Sequence, residues 1–338
     1  MLEHGGQLRR AAQRYGIPLS QWVDLSTGLN PYGWPVPPVP AERWRRLPEG
    51  GDGLEEAARA YYGAPCLLPV PGTQAAIQAL PRLRPRGRVA VLVPGYGEHR
   101  RVWVEAGHEV VGVPAADVHA AVAAADVLVL IHPNNPTGER FGREALLTWC
   151  KTLAARDGWL VVDEAFMDAT PGESLAPLAG TPGLIVLRSL GKFFGLGGVR
   201  VGFVLGEPRL LARLEEALGP WAVANPSRWV AAAALADTGW QQKMRRTLPA
   251  ASGRLARQLA AAGLTPSGGT ALFQWVQTPI AAEAEEFFAQ RGILVRAFAT
   301  PPGLRFGLPG DAEQWKRLAL ALEEWARCAA PRLAGLRG

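Results

Sequence analysis

The sequence predicts an α/β protein built on a largely parallel sheet, with a smaller α+β domain beside it. Two patterns carry that expectation. As far as about residue 240, short β-branched runs alternate with longer Ala- and Leu-rich stretches of helical periodicity. Beyond that point the order changes to one long helix, then strand, helix, strand and a terminal helix. A length of 338 residues with 48% hydrophobic content is enough to bury a large core.

Taken in chain order, the expected strands are Arg88–Val93, Glu109–Val113, Val127–Ile131, Trp159–Asp163, Leu184–Leu187 and Val201–Leu205. Between them, helical spacing predicts helices over Leu54–Tyr62, Thr73–Leu83, Glu98–Ala106, Arg143–Arg156 and Arg209–Leu218. The later helices are expected at Gln241–Ala262 and Ala312–Ala329. Pro- and Gly-rich stretches, Asn30–Pro40 and Ala299–Gly310, read as irregular. We therefore expect a large domain over residues 46–240 and a small domain made of 1–45 and 241–338.

Composition excludes several classes of function. The formal charge of +6 is spread along the chain, with no basic arm interleaved with aromatics, so nucleic acid is not an expected partner. The apolar run Val118–Ile131 is interrupted by Asp126 and is too short to span a bilayer. Cys66, Cys150 and Cys328 are far apart and form neither a disulfide framework nor a metal spacing. The start, Met1-Leu2-Glu3-His4, lacks the apolar stretch of a signal peptide, and a cytoplasmic protein is expected.

Ligands of open α/β sheets bind beyond the carboxyl ends of the strands, which directs attention to the polar residues there. Lys192 stands out first. Of 36 basic residues only four are lysine (151, 192, 243 and 316), and Lys192 alone sits among apolar residues and glycines, in Ser189-Leu190-Gly191-Lys192-Phe193-Phe194-Gly195. Arginine carries a surface charge equally well but cannot shed its proton and attack an aldehyde, whereas a partly desolvated lysine can. A structural ammonium capping a helix is the plainer alternative.

Asp163 closes an apolar strand in Val161-Val162-Asp163-Glu164-Ala165-Phe166. A buried carboxylate is costly without a cation or good donors. A metal and a protonated heterocyclic nitrogen are both open as its partner, though no His or Cys cluster lies near in sequence. Asn135 is held by the prolines of His132-Pro133-Asn134-Asn135-Pro136-Thr137-Gly138. Gly72-Thr73-Gln74 opens a predicted helix, and Ser189 and Arg200 flank the Gly-rich turn; such a set could surround a phosphate. Pro94-Gly95-Tyr96-Gly97 falls short of a dinucleotide fingerprint because Arg100 stands at the third glycine position, but Tyr96 would present a flat ring.

Together these strings resemble the fold-type I pyridoxal-phosphate (PLP) enzymes of the aminotransferase superfamily, over roughly residues 4 to 326. The resemblance implies a mostly parallel seven-stranded sheet in the large domain, PLP as cofactor, no metal, and a homodimer. By that likeness, Lys192 would carry the cofactor and shuttle protons, Asp163 would face the pyridinium nitrogen, Asn135 the ring oxygen, and Tyr96 the ring face. Gly72, Thr73, Ser189 and Arg200, with Gln74 as a further candidate, would hold the cofactor phosphate. Arg305 matches the position that takes a substrate carboxylate, and Arg296 with His4 would take a substrate phosphate. Two positions depart from the pattern: Phe166 stands where many relatives have Tyr, and Leu47 where many have the Tyr that reaches a neighbouring subunit.

Within the superfamily the likeness is to the histidinol-phosphate aminotransferase-like branch. Four strings favour a decarboxylase of a small phosphorylated amino acid over an aminotransferase. They are His4-Gly5-Gly6, the run Asp24–Gly33, Phe166 after Asp163, and Pro220–Asn225. A binding protein of the same fold without turnover is the alternative of a different class, and retention of both Lys192 and Asp163 speaks against it.

Overall fold

A computed structural model describes residues 4–334 of the chain. Two compact units emerge: one is Gly33–Asn135 with Glu139–Met244, and the other takes the chain up to Tyr32, Pro136–Gly138 and everything from Arg245 onward. The division falls earlier than the expected 45/46 because Trp34 is fastened to the larger unit. Its backbone N–H donates to the Phe194 carbonyl at 2.8 Å and its indole N–H to Asp237 at 3.0 Å.

In chain order, β1 (Val23–Asp24) belongs to the smaller unit. The larger unit holds β2 (Leu67–Val70), β3 (Arg88–Leu92), β4 (Glu109–Val113), β5 (Val127–Ile131), β6 (Trp159–Asp163), β7 (Leu184–Ser189) and β8 (Gly202–Leu205). These seven form one sheet in the order β2-β8-β7-β6-β5-β3-β4. Among the described strands of this sheet only β8 runs against the others, pairing antiparallel with both β2 and β7. A parallel sheet is covered on both faces, which is why its central strands read as unbroken apolar runs; all five residues of β5 are buried.

Val89, Val91, Val127, Val129, Val161 and Ile185 point to one face and pack against Ile77, Trp103, Leu211 and Leu214 from helices Thr73–Ala79, Gly97–Glu105 and Pro208–Leu218. Helix Arg143–Ala154 buries Leu146, Trp149 and Leu153. Each such side chain contributes about 1.5–3 kcal/mol by leaving water. The ladder also sets the site: Ile131, Asp163 and Leu187 are register partners, so the carboxyl ends of β5, β6 and β7 lie level.

Elements of the smaller unit are β1, paired in parallel with β11 (Ile293–Leu294), and an antiparallel sheet. That sheet has the order β12-β13-β10-β9, from β9 (Gly268–Thr270), β10 (Phe273–Gln277), β12 (Arg296–Ala299) and β13 (Pro302–Gly307). Helices Leu8–Tyr15, Ala281–Ala289 and Ala312–Ala334 accompany it, with Phe288 set edge-on to Phe306 at 5.4 Å in its core.

A buried ionic cluster joins β7 to the segment after β6. Arg188 donates to Glu164 and to Asp168, each at 2.5 Å, and to Ser174 at 3.0 Å, with its guanidinium 4.7 Å from the Tyr62 ring centre. Burial pushes the Glu164 carboxyl up, with Arg188 opposing; burial also works against the Arg188 charge, yet Asp168 and Glu164 hold it above its ordinary range. Glu164 follows Asp163 and Arg188 precedes Ser189, so this cluster ties together the ends of β6 and β7. Removing one partner of such a cluster strands the others' charge. We predict that Arg188→Ala lowers unfolding free energy by about 3–5 kcal/mol in a denaturant titration; a loss under about 1 kcal/mol would contradict it.

His132, just past β5, is buried, and its Nδ1 accepts the Phe141 backbone N–H at 3.3 Å, which requires the neutral ring. Burial, then Arg140, lowers its pKa to about 4. In the unfolded chain the ring would titrate near 6.5. Between those values the unfolded state binds more protons, so this stabilisation is complete above about pH 6.5 and is lost as pH falls towards 4. The full amount is about 3 kcal/mol. His132→Asn should flatten that part of the stability profile; an unchanged slope would count against it.

Candidate active site

Lys192 lies in the turn that follows β7. Phe193 and Phe194, its neighbours, are fully buried, and both contact the Trp240 ring, at 5.5 and 5.4 Å between centres. Anchored this way, the turn leaves Lys192 half-buried, with Nζ 5.4 Å from the ring centre of Phe166. The Phe166 ring thus offers the Lys192 side chain its π face.

Asp163 closes β6 in a buried position. Its Oδ2 accepts the Nε2–H of His99 at 3.0 Å, and its Oδ1 accepts the Ala165 backbone N–H at 3.0 Å. His99 is one helical turn after Tyr96, at the start of helix Gly97–Glu105, and the rings of the two are edge-on at 6.1 Å. Tyr96 donates its hydroxyl to Gln74 Oε1 at 3.0 Å; Gln74 Nε2 donates to Glu98 at 3.0 Å; Glu98 is paired with Arg101. Burial pushes the Tyr96 phenol up to about 12, with the Glu98 and Asp163 charges adding to it, so the hydroxyl stays a donor. Both ends of the Gln74 amide are thereby engaged in holding Tyr96.

Asn135 is half-buried at the end of the loop after β5. The preceding Asn134 ties that loop to the one after β3, by donating its side-chain amide to the Pro94 carbonyl at 2.9 Å.

Gly72, Thr73, Ser189 and Arg200 converge through Gly202. Ser189 and Val70 are both register partners of Gly202 on β8, and a Cβ on Gly202 would come within 2.8 Å of the Thr73 amide nitrogen. At Gly72 φ is +70°, and a Cβ there would lie 2.8 Å from Nη2 of Arg200. Arg200 itself adopts φ +56° and donates to the Gly197 carbonyl at 3.1 Å. Ser189 Oγ accepts the Gly191 N–H at 3.2 Å. Glycine at 72 and 202 lets the Arg200 guanidinium and the Thr73 amide approach closely, gathering amides, a hydroxyl and a guanidinium, the donor set of an anion site.

Within the smaller unit, Arg296 and Arg305 are directly opposed on the β12–β13 ladder. Arg305 is buried, donates to the Ser26 carbonyl, and lies 5.4 Å from the Phe273 ring centre. Burial, then repulsion from Arg296, lowers its pKa to about 10, while Asp24 works the other way. His4 and Arg296 line one cavity of about 380 Å³ together with Ser26, Arg10 and Arg14.

The sequence reading did not single out His99, Glu98 or Arg188 for a role. For His99 a signal existed: a histidine three residues after Tyr96 at a helix start returns to the same face. Among the described residues no His, Cys, Asp or Glu group could hold a metal ion, and no helix is long and apolar enough to cross a membrane.

Comparison with known proteins places the chain in a family. A threonine-phosphate decarboxylase of Pseudomonas aeruginosa is 54% identical over 322 residues, covering 95% of this chain and 97% of that protein. A protein of the same description from Sinorhizobium sp is 43% identical over 94% of this chain and 97% of the relative. A crystal structure of histidinol-phosphate aminotransferase from Sinorhizobium meliloti, in complex with pyridoxal-5'-phosphate, superposes with a TM-score of 0.84 at 22% identity, covering 97% and 96% of the two chains. The family profile of aminotransferase class I and II matches residues 48–322, and the chain belongs to that family.

Proposed function

We propose that this chain is a PLP-dependent carboxy-lyase that converts L-threonine O-3-phosphate to (R)-1-amino-2-propanol O-2-phosphate and CO2, a product suited to the aminopropanol linker of cobalamin. The observation that carries the reading is the Lys192 turn, with its amine half-buried over Phe166, in a chain alike over nearly its whole length to two decarboxylases.

The residues present fit the cofactor. The Gly72 and Thr73 amides, the Ser189 hydroxyl and the Arg200 guanidinium, brought close at Gly72 and Gly202, would suit its phosphate. Tyr96, held by Gln74, would lie on the ring; Asn135 would meet the ring oxygen; Asp163, oriented by His99, would meet the ring nitrogen. When bound, PLP supplies an electron sink for the pair released from a bond at the substrate Cα. Lys192 Nζ would carry the group covalently and, once displaced by the substrate amine, hold a proton for delivery to Cα. Arg305 would take the substrate carboxylate, and Arg296 with His4 the substrate phosphate. Two anion anchors fix which Cα bond is held for cleavage, and fixation of this kind can supply roughly 7–11 kcal/mol of a barrier.

A cytoplasmic homodimer is part of the same reading. Trp44, Leu47 and Trp221 are 68%, 60% and 59% exposed, which favours a partner surface over solvent, and the thiols of Cys66, Cys150 and Cys328 are free.

We predict that threonine phosphate yields CO2 with no 2-oxo acid present. Rapid turnover of histidinol phosphate with 2-oxoglutarate, and no CO2 from threonine phosphate, would replace this reading with an aminotransferase. Lys192→Ala should cut turnover at least about a thousandfold while leaving the circular-dichroism spectrum unchanged; retained activity would remove the amine from the chemistry. Gly72→Ala should weaken PLP binding to the apoprotein about tenfold or more, read by fluorescence titration, since it adds a Cβ against Arg200 at positive φ. Equal affinity would remove Gly72 from the cofactor's phosphate site.

A further inference from the structure

Ser26 is buried, and every polar atom it has is engaged. A hydroxyl carries one hydrogen and can accept two bonds. The Ser26 hydroxyl donates to Asp24 Oδ1 at 2.6 Å and accepts the Gly6 backbone N–H at 2.8 Å. Its own N–H also donates to Asp24 Oδ1, at 2.8 Å. Its carbonyl accepts from the Arg305 guanidinium. Because the single hydroxyl hydrogen is committed to Asp24, a lone pair is fixed towards Gly6. Contact is close enough to require glycine at position 5, where a Cβ would come within 2.3 Å of the Ser26 carbonyl oxygen. That is the same oxygen Arg305 uses, so one peptide carbonyl seats both the amino-terminal segment and the arginine.

We propose that Ser26 is a positioning residue that clasps the His4-Gly5-Gly6 segment to the Arg305 guanidinium, so that two substrate-anion anchors act as one unit. The inference rests on the decarboxylase reading above and deepens it, because it makes recognition of a doubly anionic substrate depend on a residue that touches neither anion. The cavity fits this: Ser26 lines it with His4, Gly5 and Arg296. Asp24 shares in the clasp by lending Arg305 a nearby negative charge.

The test is a mutant cycle on CO2 release from threonine phosphate, with Ser26→Ala, Gly5→Ala and the double variant. Each single change should raise KM about tenfold with a smaller change in kcat, and the pair should add little beyond either alone. Independent readout comes from hydrogen exchange of the amino-terminal peptide ending at Tyr15. It should exchange faster in Ser26→Ala than in the wild type, and threonine phosphate should slow it in the wild type more than in the variant. An unchanged KM in Ser26→Ala, single-variant effects that multiply, or equal exchange in variant and wild type would each overturn the clasp. Absence of CO2 from the wild type would overturn the decarboxylase reading instead, while the exchange comparison would still decide the clasp. Should Ser26→Ala fold poorly, Gly5→Ala tests the same joint from the other side.

Discussion

A carboxylate at the end of a strand that is buried on both faces is the constraint around which the larger unit is arranged. Asp163 cannot rely on water, so the fold brings it an imidazole N–H from His99 and a backbone N–H from Ala165. The imidazole comes from a helix that starts at the end of β3, which binds the β3 and β6 ends together. Asn134 adds the loop after β5 to the same assembly by bonding the Pro94 carbonyl. Glu164, one residue on, points the opposite way into the Arg188 cluster, so successive residues of one short segment serve opposite sides. Asp163 faces His99, and the side behind it is a closed ionic core.

Charge is handled differently in the smaller unit. Two arginines opposed on neighbouring strands repel, and burial of Arg305 sharpens the conflict. Asp24 and the Ser26 carbonyl offset part of it.

Much of this was legible in the sequence, for identifiable reasons. Strands β5 and β6 announce themselves because a parallel sheet demands unbroken apolar runs, and their carboxyl ends lie level. β2 was missed because Pro69 argues against a strand; it is tolerated because β2 lies at the sheet edge. The predicted helix Thr73–Leu83 ends as an α-helix at Ala79 and tightens to a 3-10 turn over Leu80–Leu83, where Pro81 removes a donor. Within the run Pro220–Asn225, Trp221 is exposed with φ +58°. Local pattern could place His99 beside Tyr96, but the partners of His99, Arg188 and Ser26 were beyond its reach. Their partners lie 64, 24 and 279 residues away, and only the tertiary fold puts them together.

Borohydride reduction of the purified protein, followed by peptide mass mapping, tests the chemistry assigned to Lys192 most directly. A pyridoxyl-phosphate group fixed on Lys192 alone is the expected result. The same group on Lys151, Lys243 or Lys316, or on no lysine at all, would contradict the assignment of the half-buried amine over Phe166 as the cofactor's attachment point.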